Sequence, residues 1–131
     1  MILSFVTIYP VSGEEDKVAD LLASMHGLIA TKPECTGCRV LLERGEQNTI
    51  CYLERWSNRE SFEHHLRSSD YTRILEAMEL SSRPPDVEFF QGQNFGGLEV
   101  VELVRLCGKG SLDQNPFRKN SHKQEDDCND L

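Results

Sequence analysis

Residues 49–66, TICYLERWSNRESFEHHL, contain the change from strand to helix that decides the fold. The segment 49–56 is rich in β-branched and aromatic residues, a composition typical of strands. Ser57 and Glu60 then have the spacing of a capping box, in which a serine and a glutamate three residues later bind free backbone N–H groups. We therefore predict a strand over 49–56, followed at once by a helix.

Strand and helix patterns alternate on both sides of this segment. Residues 2–9 and 38–44 predict two strands separated by a helix, and residues 98–105 predict the last strand. Residues 86–90 predict a short extended piece before it. The order β-α-β-β-α-β is typical of a ferredoxin-like α+β fold, an antiparallel sheet with helices on one face.

The predicted strands are apolar on both faces. In residues 2–9, Leu3 and Phe5 alternate with Val6 and Ile8. An antiparallel sheet with helices on one face normally has a polar second face. We therefore predict a homodimer in which two sheets pack against each other. The alternative is that the C-terminal tail folds back over the sheet, which its composition disfavours.

The chain divides by composition into a body, residues 1–107, and a tail, residues 108–131. The tail, GKGSLDQNPFRKNSHKQEDDCNDL, has few apolar residues and no apolar period. Such a segment cannot bury enough apolar surface to offset the entropy lost on ordering. We predict one folded domain and a disordered tail.

The charge of the chain argues against two classes of partner. Its 131 residues include 14 Lys and Arg against 22 Asp and Glu, for a formal net charge of -8. Nucleic acid and anionic membrane surfaces would select clustered basic residues, so we expect neither as a partner. The N-terminus has no basic region before its apolar residues, and we expect a cytoplasmic protein.

The strand over 49–56 carries a candidate binding site. Tyr52, Glu54 and Trp56 share one face of it, because alternate residues of a strand point the same way. A carboxylate on a face that otherwise reads as buried must be paired or hydrogen-bonded. The alternative is a purely structural pair of Glu54 with Arg39 or Arg105 on a neighbouring strand.

The following helix carries a candidate proton acceptor. His65 shares the apolar face of that helix with Phe62 and Leu66. An unperturbed imidazole titrates near neutrality and can act as a general base. The alternative is a core histidine that is bonded only to the backbone.

Cys35 and Cys38 have the spacing of a redox or metal motif, Cys-x-x-Cys. A zinc site needs four ligands and usually a second such pair, which the sequence lacks. We therefore expect no bound metal.

Four short motifs follow one another along residues 1–105: Pro10-x-x-Gly13, Pro33-x-x-x-Gly37-Cys38, Glu54-Arg55-Trp56 and Phe62-x-x-His65-Leu66-x-Ser68. In this order and spacing they resemble the antibiotic biosynthesis monooxygenase family. The resemblance implies a dimeric α/β barrel of ferredoxin-like subunits. It also implies an oxygenase that oxidises a quinol or polycyclic phenol with molecular oxygen and without metal, flavin or haem.

The resemblance implies roles for some of the residues named above. His65 and Trp56 correspond to catalytic positions, and we expect Tyr52, Glu54, Phe62 and Tyr71 to border the substrate. A haem-degrading branch of the family resembles this chain less, because residues 71–80 contain no histidine. The second hypothesis is a dimeric module without catalysis, which binds a small ligand or serves a stress response.

Overall fold

One antiparallel sheet of four strands organises the chain in the computed structural model, which describes residues 1–45 and 48–108. The strands are β1 (Ile2–Ile8), β2 (Cys35–Leu42), β3 (Ile50–Trp56) and β4 (Asp86–Gln91). Their order across the sheet is β2-β3-β1-β4, so β1 and β3 are central. This order confirms the predicted ferredoxin-like fold.

Four of the helices follow the two predicted helical regions, two in each region. The first contains α1 (Glu15–Ala23) and α2 (Met25–Ile29). The second contains α3 (Arg59–Arg67), a 3-10 turn (Ser69–Tyr71) and α4 (Thr72–Glu79). No helix within the described part of the chain is long and apolar enough to cross a membrane.

The start of α3 differs by one residue from the predicted capping box. Asn58 is the N-cap, and its side-chain oxygen accepts a hydrogen bond from Ser61 N at 2.8 Å. The Ser57 hydroxyl instead donates to Glu34, on the segment before β2. The prediction at Ser57 was therefore wrong, because asparagine caps a helix as well as serine does and the two residues are adjacent.

The hydrophobic core lies between one face of the sheet and helices α1, α2 and α4. Along β1, buried and half-buried residues alternate, so Val6 and Ile8 point into the core and Leu3 and Phe5 point to the other face. Their core partners include Val18, Leu22, Met25, Ile50, Tyr52 and Ile74. The core side of β3 thus faces helices, and this positions the site described below.

The predicted last strand was wrong. Residues 98–105 lie in helix α5 (Leu98–Gly108), and the fourth strand is β4, the piece predicted as merely extended. In LEVVELVR, apolar residues fit both a strand and a helix, and a short apolar run cannot decide between them. Leucine and glutamate are strong helix formers, and this favours the helix.

The contacts between residues divide the chain into two compact units. The first is Met1–Gln93, with the sheet and helices α1 to α4, and the second begins at Asn94 and includes α5. The predicted boundary after residue 107 falls within the second unit. Apart from Gly108, the predicted disordered tail, residues 108–131, lies outside the described residues.

The core predicts a clear difference between two neighbouring residues of α4. Ile74 is fully buried, whereas Leu75 is 48% exposed. Ile74→Ala should lower the free energy of unfolding by about 2–5 kcal/mol, through lost burial and the cavity left behind. Leu75→Ala, the matched control, should change it by well under half of that. Urea unfolding of both variants measures the difference, and equal losses would contradict the assigned core.

Candidate active site

A buried carboxylate lies at the centre of the most polar part of the core. Glu54 has no exposed surface. Its Oε1 accepts a hydrogen bond from Trp56 Nε1 at 2.8 Å, and its Oε2 accepts one from the Tyr52 hydroxyl at 2.5 Å. Buried charge is tolerated only where such donors replace water. The alternation of β3 supplies both donors, because residues 52, 54 and 56 share the core face.

His65 supplies the third donor, from helix α3. It is fully buried, and its Nε2 lies 3.1 Å from Glu54 Oε2. Its other ring nitrogen, Nδ1, lies 3.3 Å from Lys32 Nζ. A lysine ammonium can only donate, so Nδ1 accepts and Nε2 carries the proton that is donated to Glu54. The imidazole is therefore neutral, with a fixed tautomer, between an anion and a cation.

Aromatic rings fix the plane of the His65 imidazole. The Trp56 ring stacks on it, with centroids 4.7 Å apart and planes 28° apart. The Tyr71 ring meets it edge-on at 5.4 Å. With one face stacked on Trp56 and both nitrogens in contact, His65 cannot rotate without breaking several interactions, so the pair with Glu54 is held in one geometry.

A cavity of about 460 Å³ opens beside this cluster. Trp56 and His65 form part of its wall. The other wall residues come from the segment before β2 and from α3, and they are Thr31, Lys32, Pro33, Glu34, Glu60, Ser61, His64 and Arg67. Lys32 also pairs with Asp70, at 3.2 Å. The volume lies within the range of small-molecule sites in proteins.

Three neighbouring groups are held in their protonated forms. Burial, with the Glu54 charge beside it, raises the pKa of Tyr52. Burial raises the pKa of Cys38 to about 11, and burial with the Glu54 charge raises the pKa of Tyr71 to about 12. At neutral pH these groups are donors and not bases. Cys38 accordingly donates to the Tyr52 hydroxyl at 3.2 Å, and Tyr52 donates onward to Glu54.

Of the six residues predicted for the site, the structure brings five together. Tyr52, Glu54, Trp56, His65 and Tyr71 form the cluster described above. Phe62 packs against Trp56, with ring centroids 6.4 Å apart, but it lines a separate groove of about 340 Å³. Lys32 was missed, because a single lysine before Pro33 belongs to no motif and is 33 residues from His65.

The structural alternatives considered for Glu54 and His65 do not describe the site. Glu54 bonds to Tyr52, Trp56 and His65, and Arg39 lies opposite Leu53, on the other face of the sheet. Arg105, expected on a neighbouring strand, lies in helix α5. Both ring nitrogens of His65 face side chains, not the backbone.

The Cys-x-x-Cys pair lies on the core face of β2. In the register of β2 and β3, Cys35 lies opposite Trp56 and Cys38 lies opposite Glu54, with a bulge between the two cysteines. Both cysteines are free thiols. Within residues 1–45 and 48–108, no three potential metal-ligating side chains come together. The expected absence of a bound metal remains a prediction.

Comparison with known proteins identifies the family of this chain. The sequence model of the antibiotic biosynthesis monooxygenases matches residues 1–77, more than half of the chain. The chain belongs to the antibiotic biosynthesis monooxygenase family. No curated protein matches it.

Solved structures share the fold of this family member. A Deinococcus radiodurans protein, provisionally named an antibiotic biosynthesis monooxygenase, is 14% identical, with a TM-score of 0.66 over 74% of this chain and 97% of the other. A Mycobacterium tuberculosis protein is 16% identical, with a TM-score of 0.65 over 73% and 98%. A conserved Methanosarcina mazei protein is 16% identical, with a TM-score of 0.64 over 70% and 92%. At such identities the likeness establishes the fold alone.

The donors around Glu54 predict the effect of neutralising it. Glu54→Gln keeps the size of the side chain but turns an NH2 group toward donors, so that at least one buried donor loses its acceptor. The free energy of unfolding should fall by about 1–3 kcal/mol. Glu76→Gln, at an exposed position of α4, is the matched control and should be nearly neutral. If chemical denaturation gave equal free energies of unfolding for the two variants, the hydrogen bonds to Glu54 would not stabilise the fold.

Proposed function

We propose that this chain is a monooxygenase that oxidises a quinol or polycyclic phenol with molecular oxygen and needs no cofactor. The observation that carries the proposal is the His65–Glu54 pair, a neutral imidazole bonded to a buried carboxylate on the wall of a cavity. Membership of the family supports the reaction class.

The chemistry requires a base and a desolvated pocket more than it requires a metal. A phenolate is electron-rich and can pass one electron to oxygen, after which the two radicals combine at a ring carbon. Loss of water leaves a quinone, so one phenol and one O2 yield one quinone and one water. The substrate supplies all the electrons, and the protein must remove the hydroxyl proton and shield the intermediates from water.

The proposal gives each residue of the cluster a part. His65 accepts the substrate proton at Nδ1, the nitrogen that does not face Glu54. Glu54 stabilises the resulting imidazolium, and Tyr52 holds Glu54 in place. Trp56 offers an aromatic wall to the substrate ring. Tyr71 orients His65 from its edge.

The test is oxygen consumption with a panel of quinols and polycyclic phenols, with and without a chelator. A general base contributes roughly 10²–10⁴-fold, so His65→Ala should lower kcat by about that factor. His26→Ala, at an exposed position of α2 outside the cavity, is the control and should keep wild-type turnover. Chelator should have no effect.

Melting temperature and rate, measured on the same sample, separate catalysis from folding. If His65 were only a core residue, its loss would lower stability and leave the turnover of the folded enzyme unchanged. That result, or a wild type inert to every compound tested, would favour the module that binds a small ligand without catalysis.

We further propose that the protein is a homodimer, formed through the sheet face that points away from α1 to α4. This face carries Leu3, Phe5, Leu53 and Phe90, which the strand register places side by side on β1, β3 and β4. Apolar patches of this kind usually mark interfaces. If this face packs against the same face of a second copy about a two-fold axis, the apolar patches of both copies are covered at once.

The homodimer predicts a specific effect of one charge. Leu53→Glu should convert the dimer to monomer at micromolar concentration, because it replaces an apolar side chain beside Phe5 with a charge that the interface would have to desolvate. Leu75→Glu, an equally large change on α4, should leave the dimer intact. Light scattering of the wild type and both variants decides, and a wild-type mass of one chain, near 14.9 kDa, would contradict the proposal.

A further inference from the structure

Lys32 occupies an unusual place for a lysine, with its ammonium between a buried imidazole and the cavity. Its side chain is only 24% exposed. Two polar partners of Nζ lie within the described residues: His65 Nδ1 at 3.3 Å and Asp70 Oδ2 at 3.2 Å. An ammonium has three N–H donors, so one remains for a ligand in the cavity that Lys32 lines.

The short distance between Nζ and Nδ1 has a consequence for any hydroxyl that approaches His65. Nδ1 has one lone pair, so a ligand hydroxyl that donates to it takes the place of the Lys32 N–H. Its oxygen then lies on the side where Nζ already is, because the two nitrogens are only 3.3 Å apart. When the O–H bond breaks and the proton bonds to Nδ1, Nδ1 can no longer accept from Lys32. The N–H of Lys32 that pointed to Nδ1 then has the new oxyanion as its acceptor.

We propose that Lys32 is the oxyanion-binding residue of this site, and that the cavity selects aromatic ligands whose hydroxyl ionises. The proposal deepens the proposed function, on which its reference to a phenolic substrate rests. It balances charge at each stage. Before transfer the neutral His65 lies between Glu54 and Lys32. Afterwards the imidazolium pairs with Glu54 and the ammonium pairs with the phenolate.

Other charges at the cavity do not offer the same role. The Glu34 carboxylate is held by Ser57 and Asn58. Glu60 and His64 lie on α3 and are exposed, as is Arg67, the remaining cation of the wall. Of these groups only Lys32 bonds directly to His65. Asp70 opposes it, because its carboxylate competes with a ligand anion for the ammonium.

The test uses 4-nitrophenol, whose phenolate is yellow and whose neutral form is not, under anaerobic conditions. At a pH where the free probe is half ionised, the wild type should increase the phenolate absorbance as protein is added. Lys32→Met should weaken this preference for phenolate roughly tenfold or more, the size expected for a hydrogen bond to a charged group. Lys32→Arg should keep part of it, and Asp70→Asn should strengthen it.

Two controls identify the cation responsible. Lys17→Met, at an exposed position of α1 away from the cavity, and Arg67→Met should each leave the preference within about twofold. Melting temperatures verify that every variant is folded. The proposal is overturned if the wild type does not bind the probe or does not shift it toward phenolate. It is overturned equally if Lys32→Met retains the shift or Arg67→Met abolishes it.

The measurement involves no turnover, so it fails separately from the proposed function. If the wild type stabilises the phenolate through Lys32 but consumes no oxygen with any quinol, the proposed monooxygenase activity is contradicted and the proposed anion site is supported. A wild type that turns over quinols without the phenolate shift would contradict the role of Lys32 alone.

Discussion

The buried charge of Glu54 is the constraint on which the rest of the site depends. A carboxylate without water must find donors, and here three converge on it: the Tyr52 hydroxyl, the Trp56 ring N–H and the His65 ring N–H. Two come from the same strand and one from the helix that follows. These three hydrogen bonds therefore set the face that β3 presents to the core and the distance at which α3 packs on β3.

From that carboxylate, a series of polar contacts leads outward through three further side chains. Glu54 is followed by the neutral His65, then by the Lys32 ammonium and the Asp70 carboxylate. Each member is placed by the one before it, so the imidazole has one tautomer and one orientation. A site built in this way needs little reorganisation when a proton moves along it, and such preorganisation is the main contribution of a protein to this type of chemistry.

The predicted positions of side chains were accurate where a single element decides the geometry. Alternation along β3 is enough to place Tyr52, Glu54 and Trp56 on one face, and the helical period is enough to place His65 on the apolar face of α3. It was less accurate where two elements meet. Phe62 has the same helical signal as His65, yet it faces a different groove, because position along the helix axis decides which cavity a side chain reaches.

The amino-acid sequence by itself determined the first five elements of the ferredoxin-like order, β-α-β-β-α, the buried position of Glu54 and the family, because these follow from local periods and from short motifs. Only the tertiary structure decided that β4 completes the sheet and that residues 98–105 are helical. An apolar run of that length fits either period until its neighbours are known. Only the tertiary structure, likewise, placed Lys32 against His65: they are far apart in the chain, and no local pattern records a contact made by packing.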